Sequence, residues 1–166
     1  MMLGFTLDGT VKLMDFGLST VVPNASPDSD EEYQLSGETG SLRYMAPEVA
    51  KRTTYNNKAD VYSFGILLWE LVEFKKPFDR MNRDAFYEKV IHGGLRPEIS
   101  KKIPTDLATL ISECWDNDPQ ARPTCQAIVF SLAEMLRNEK NKKSHKGSKV
   151  GKFVKKLAPA RHSTWF

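Results

Sequence analysis

Cysteine is scarce in these 166 residues, occurring only as Cys114 and Cys125. Two cysteines, each inside an apolar segment, make neither a disulfide framework nor a paired zinc site, and they read as reduced core residues of a cytoplasmic or nuclear protein. Long hydrophobic runs are missing too. A stretch such as Ile66–Trp69 falls far short of the roughly 20 apolar residues that a membrane-spanning helix needs. Residues 1–10 have no basic start and no apolar core ahead of a small-residue cleavage site, so no secretory leader is read there. What remains, 40% apolar and 27% charged, is the composition of a globular domain, and the length suits one.

Charge is unevenly spread. Between Arg137 and Phe166 ten basic residues face Glu139 alone, so this stretch carries +9 and the whole-chain charge of +3 leaves −6 on the rest. The division predicts a body over 1–137 and a basic appendage over 138–166. In the appendage Val150, Phe153, Val154 and Leu157 recur at helical spacing with lysines between them. This pattern suits an anionic membrane surface, a calmodulin-like groove or nucleic-acid phosphate bound through residues 140–166. Gly147, Gly151 and Pro159 suit a disordered solubilising tail instead.

Along the body, Leu3–Leu7 and Val11–Met14 flank a turn with Gly9 and read as a small β-hairpin. Residues 19–39 are rich in Pro, Ser, Asp and Glu without a period, which predicts an exposed loop. Val61–Phe74 is helical in length and apolar around most of its circumference, the mark of a buried helix. Shorter helices are expected over Asp84–His92, ended by Gly93 and Gly94, over Thr105–Trp115 with Thr105 as N-cap, and over Thr124–Leu136. The last should present Ile128, Val129, Leu132, Met135 and Leu136 on one face.

The chemistry-bearing residues come in a fixed order. Asp15-Phe16-Gly17 follows the apolar run Val11–Met14, and Ala46-Pro47-Glu48 begins 31 residues after Asp15. Asp60 opens the run Asp60–Gly65, Trp69-Glu70 falls in the same helix, and Arg122 stands in Asp118–Thr124. An aspartate just past a strand, followed by a glycine that can turn sharply, can hold a divalent cation against phosphate oxygens. Asp15 is therefore the candidate metal ligand, with a simple turn aspartate as the plain alternative.

This ordered set, covering Leu3 to about Leu136, resembles the second half of a eukaryotic protein kinase domain, from the magnesium-binding motif to the last helix. With Arg43–Glu48, Asp60–Gly65 and Cys114-Trp115 it is most similar to the tyrosine-kinase-like group of serine/threonine kinases. The resemblance implies a kinase-like α+β fold, present here as a truncated, mostly α-helical C-lobe with a small β-hairpin and a basic tail. It also implies transfer of the γ-phosphoryl of ATP, with Mg2+, to Ser or Thr of protein substrates in signalling. By resemblance Asp15, Phe16 and Gly17 form the metal-binding motif, and Gly40, Ser41 and Tyr44 form the platform along which the substrate backbone passes. Ser36 and Thr39 become activation-loop phosphorylation sites, while Glu48, Asp60 and Arg122 are structural, Glu48 pairing with Arg122.

Three parts of that family's machinery have no counterpart: the Gly-rich loop over the phosphates, the strand lysine that anchors ATP, for which Lys12 on the strand leading into Asp15 cannot substitute, and the catalytic loop. No three of the ten glycines fall as GxGxxG, and His92, His145 and His162 are followed by Gly93, Lys146 and Ser163 rather than by Arg-Asp. Family spacing puts the catalytic-loop asparagine near Met2 and the aspartate that accepts the substrate proton before Met1. The chain is accordingly expected to be a truncated kinase, inactive alone and binding ATP and Mg2+ poorly. The competing expectation is a pseudokinase-like interaction module that binds a partner protein through its helical lobe and basic tail.

Overall fold

The computed structural model describes residues 2–14, 16–17, 19, 32–33 and 41–145. Asp15, Ser36, Thr39, Gly40, most of the 19–39 loop and residues 146–166, including the amphipathic pattern of Val150–Leu157, lie outside the described residues. The chain divides into two units, residues 1–21 with 133–166, and residues 22–132.

In the first unit β1 (Met2–Phe5) pairs antiparallel with β2 (Val11–Met14), in a register that sets Met2 opposite Met14 and Phe5 opposite Val11. Gly9 takes φ +84°, a left-handed conformation that a Cβ would resist. Around it Thr6 Oγ1 donates to the Asp8 carboxylate, and the Thr6 N–H donates to Thr10 O at 2.9 Å. The hairpin predicted from the alternation is present, with its first strand ending at Phe5 rather than Leu7.

The second unit is built around α2 (Lys58–Glu73). Sixteen residues without proline propagate this helix, and Phe74, at φ +54°, ends it in a left-handed cap. Ahead of it lie a 3-10 turn, Leu42–Tyr44, and the single turn α1 (Pro47–Ala50), whose proline sits in the first helical turn where its missing N–H costs nothing. After it come α3 (Arg83–Phe86), capped by the Asn82 side chain and continued by a π-helical segment over Tyr87–His92, then α4 (Thr105–Cys114), a 3-10 turn over Pro119–Ala121 and α5 (Cys125–His145). Helix α5 begins in this unit and continues into the first. The core joins Val61, Tyr62, Ile66, Trp69 and Val72 of α2 to Leu110, Ile111, Cys114 and Trp115 at the end of α4. Gly65 lets those two helices approach: a Cβ there would stand 2.8 Å from the Cys114 Cβ and 3.3 Å from Trp115 N.

Four expectations need correction. Helix α2 is not buried on all sides, since Leu71 is 41% exposed and its cap residue Phe74 60%, while α4 and the Leu42–Tyr44 turn pack against it. Pro104, not Thr105, caps α4, because the proline's extended backbone already sets the entry angle and Thr105 is itself helical. Cys125 is exposed at the start of α5, and within that helix Ile128 is buried while Val129 and Leu136 are not. Finally, α5 runs through residues 138–145, inside the stretch assigned to the tail. Those residues contain no Gly or Pro, and cations near a helix C-terminus are favoured by the helix dipole.

The close approach at Gly65 gives a direct test. Gly65→Val should force α2 and α4 apart and destabilise the helical unit by about 1–3 kcal/mol in a urea melt, despite the better helix propensity of valine.

Candidate functional site

The Arg122 side chain is fully buried, with no exposed surface, and almost every direction in which it can donate is used. Its Nη1 reaches Glu48 Oε1 at 2.6 Å and Lys58 O at 2.9 Å, its Nη2 reaches Glu48 Oε2 at 3.0 Å, and its Nε reaches Asp116 O at 2.9 Å. The ion pair is therefore bidentate, the arrangement in which a planar guanidinium matches a carboxylate best. Its chain partner is fixed in return: the buried Lys58 ammonium donates to Arg122 O at 2.6 Å. The guanidinium also lies 5.2 Å from the Tyr62 ring centroid, and Arg96 lies over the same ring at 4.9 Å. Arg96 is held by Trp115 O at 2.9 Å and Asn117 Oδ1 at 2.6 Å. Burial pushes the Tyr62 phenol up to about 12 even though both arginines pull it down, so the ring stays neutral between them.

Glu48 closes a segment whose other end is fixed separately. Tyr44 donates its phenol to Glu70 Oε2 at 2.5 Å, and Ser63 Oγ donates to Tyr44 O at 2.7 Å, so both partners come from α2. Burial, reinforced by that carboxylate, pushes the Tyr44 phenol up to about 12. Arg43 Nη1 donates to Pro77 O at 2.7 Å, beyond the end of α2 in the chain. Ser41, exposed, leads into this turn. Chemically, the arrangement holds a short stretch of backbone rigidly at the surface of a helical unit.

Of the sequence-derived candidates, then, Glu48 and Arg122 meet, and Ser41 and Tyr44 share one turn. Phe16, 62% exposed, and Gly17 are described without the aspartate before them. Asp60 stands apart. It keeps solvent contact, nothing among the described residues donates to its carboxylate, and desolvation by the surrounding protein pushes its carboxyl above the ordinary 3.8. Among the described residues no three His, Cys, Asp or Glu side chains gather as a metal site. Lys58 and Arg96 were not singled out by the sequence, and Tyr62, Ser63 and Glu70 entered only as members of its motifs, without a role of their own. Lys58 carried a usable signal: a lysine in the first turn of a helix opposes the helix dipole and needs another reason to be there.

A helical unit with a tethered Ala-Pro-Glu turn and an arginine from its last loop closing onto the glutamate is the C-terminal lobe of a protein kinase fold. The family described as protein tyrosine and serine/threonine kinase matches residues 5–132, and the chain belongs to it. It is 40% identical over 130 residues to Dual specificity protein kinase shkE of Dictyostelium discoideum, covering 78% of this chain and 18% of that protein. Mitogen-activated protein kinase kinase kinase 7 of Homo sapiens is 36% identical over 131 residues, 78% of this chain and 20% of its own length. Serine/threonine-protein kinase STY17 of Arabidopsis thaliana is 34% identical over 143 residues, 86% of this chain and 24% of its own length. The chain thus spans about a fifth of the length of these curated relatives. No described helix is long and apolar enough to cross a membrane.

Asp60 yields a pH-dependent prediction. Its carboxyl holds a proton more tightly in the folded state than in the unfolded chain, so stability is highest when it is protonated and falls as pH rises through the raised folded value. Asp60→Asn should therefore raise the melting temperature at pH 7, and the gain should shrink as pH is lowered toward 3.8. Melting curves of both proteins across that range provide the check.

Proposed function

We propose that this chain is the substrate-holding part of a serine/threonine protein kinase whose complete protein phosphorylates Ser or Thr of other proteins in signalling. Protein kinases use ATP and Mg2+. In this reading Asp15, followed by Phe16 and Gly17, supplies the magnesium ligand. Gly40, Ser41 and Tyr44 line the path of the substrate backbone, and Ser36 and Thr39 are activation-loop acceptors. The observation that carries it is the double tether of the 41–48 segment, at Tyr44 by Glu70 and Ser63 and at Glu48 by Arg122. A segment fixed at both ends can hold an extended peptide in one register without paying its own ordering entropy at each binding event.

The residues that would accept the hydroxyl proton and cover the phosphates do not occur in these 166 residues: there is no GxGxxG and no His-Arg-Asp. Body residues 1–137 then serve as the kinase part, with 138–166 an appendage whose first residues, 138–145, continue α5. Labelled phosphate transfer from ATP to a generic protein substrate tests the reading. The chain alone should transfer none above a blank. A chimera that supplies the Gly-rich loop, the strand lysine and the catalytic loop from a tyrosine-kinase-like relative should transfer it, and Asp15→Asn in the chimera should abolish the transfer. Transfer by the chain alone that disappears with Asp15→Asn would overturn it, and so would a folded chimera with no activity.

A further inference from the structure

The loop between α1 and α2 carries Lys51, Arg52, Thr53 and Thr54, all exposed, followed by Tyr55. We infer that Thr54 is an acceptor site for a separate basophilic protein kinase, and that its phosphate detaches the 32–33 segment from this loop.

Recognition rests on three features. Two cations stand three and two residues before Thr54, an arrangement complementary to a kinase with acidic subsites upstream of its acceptor position. Thr53 and Thr54 lie outside helix and ladder, so this short stretch can be drawn into an extended conformation with little local unfolding. The two hydroxyls differ in availability. Thr53 is pinned to the Glu48 carbonyl through both its N–H and its Oγ1, each at 3.1 Å, whereas Thr54 Oγ1 donates to the Glu32 carboxylate, a side chain that can swing away.

The consequence follows from that same hydrogen bond. Next to it Tyr33 and Tyr55 exchange backbone bonds of 3.0 and 3.2 Å, so the Thr54–Glu32 contact and the tyrosine pair together fasten residues 32–33 to the loop. In the transfer, a bond forms between Thr54 Oγ1 and the γ-phosphorus of ATP, the bond from that phosphorus to the β,γ-bridging oxygen breaks, and ADP leaves. The hydroxyl proton passes to the donor kinase's base. The donor hydrogen is thereby lost, and about two negative charges arrive beside Glu32. They enter a recess of about 220 Å3 that Glu32, Glu48 and Asn56 help to line, and no lysine or arginine is among its lining residues. The guanidinium behind Glu48 is already engaged. Repulsion between the phosphate and Glu32 is therefore not offset by any cation lining the recess.

The full chain is incubated with labelled ATP and the catalytic subunit of cAMP-dependent protein kinase as the basophilic probe. Phosphate should map to Thr54, and Lys51→Ala with Arg52→Ala should slow its incorporation there at least about tenfold, the ratio for one ordinary charged contact. Amide hydrogen exchange then reads the second half. Phosphorylation should speed exchange at Tyr33 and Tyr55 by about tenfold or more, the ratio for loss of one charge-assisted hydrogen bond. In Glu32→Gln, where no charge is left to repel, the acceleration on phosphorylation should be much smaller. Label confined to other residues, or incorporation indifferent to the Lys51 and Arg52 changes, would overturn the site. Phosphorylated Thr54 with unchanged exchange, or equal acceleration in Glu32→Gln, would overturn the release.

Discussion

One buried guanidinium organises the helical unit. A charge taken out of water costs several kcal/mol, and the cost is recovered only when the geometry is good and the remaining donors are satisfied. Arg122 meets that condition by gathering Glu48 from α1, the Lys58 carbonyl from the start of α2 and the Asp116 carbonyl from the loop after α4. Three stretches distant in sequence are drawn to one point as a result. A lysine could carry the charge but not this fork of donors.

The neighbours follow from this requirement. Tyr62 of α2 offers its ring to Arg122 and to Arg96 from the loop after His92, so two cations share one neutral aromatic. Lys58 ties back to the Arg122 carbonyl, so the arginine's own backbone cannot swing out. Because Glu48 closes the segment that begins at Ser41, a constraint made deep in the core fixes a stretch of backbone at the surface. Core packing and the proposed substrate platform are thus linked through a single ion pair.

Much of this was legible in the sequence, and the reasons for the rest are specific. The hairpin showed because alternation and a Gly-containing turn are local signals, and the helices showed because their apolar residues recur at helical spacing. The motif order from Asp15 to Arg122 carried the family resemblance, and with it the meeting of Glu48 and Arg122, which no local pattern could supply. Burial was harder to read. Val129 and Ile128 look alike in sequence, and only packing decides that one is exposed and the other buried. The reach of α5 was missed because charge composition marked 138–145 as tail, although the same lysines are good helix formers. Tyr62 and Arg96 stayed hidden because a cation stacked on a ring leaves no mark in spacing.

The dependence on Arg122 can be measured by a double-mutant cycle in urea. Glu48→Ala and Arg122→Ala should each cost about 3–5 kcal/mol, since each strands the other charge. Arg122→Ala should cost the more, because it also abandons the Asp116 and Lys58 carbonyls. The double mutant should then lose clearly less than the sum, with a coupling of about 0.5–3 kcal/mol. Strictly additive losses, or a wild-type melt for Arg122→Ala, would contradict the account.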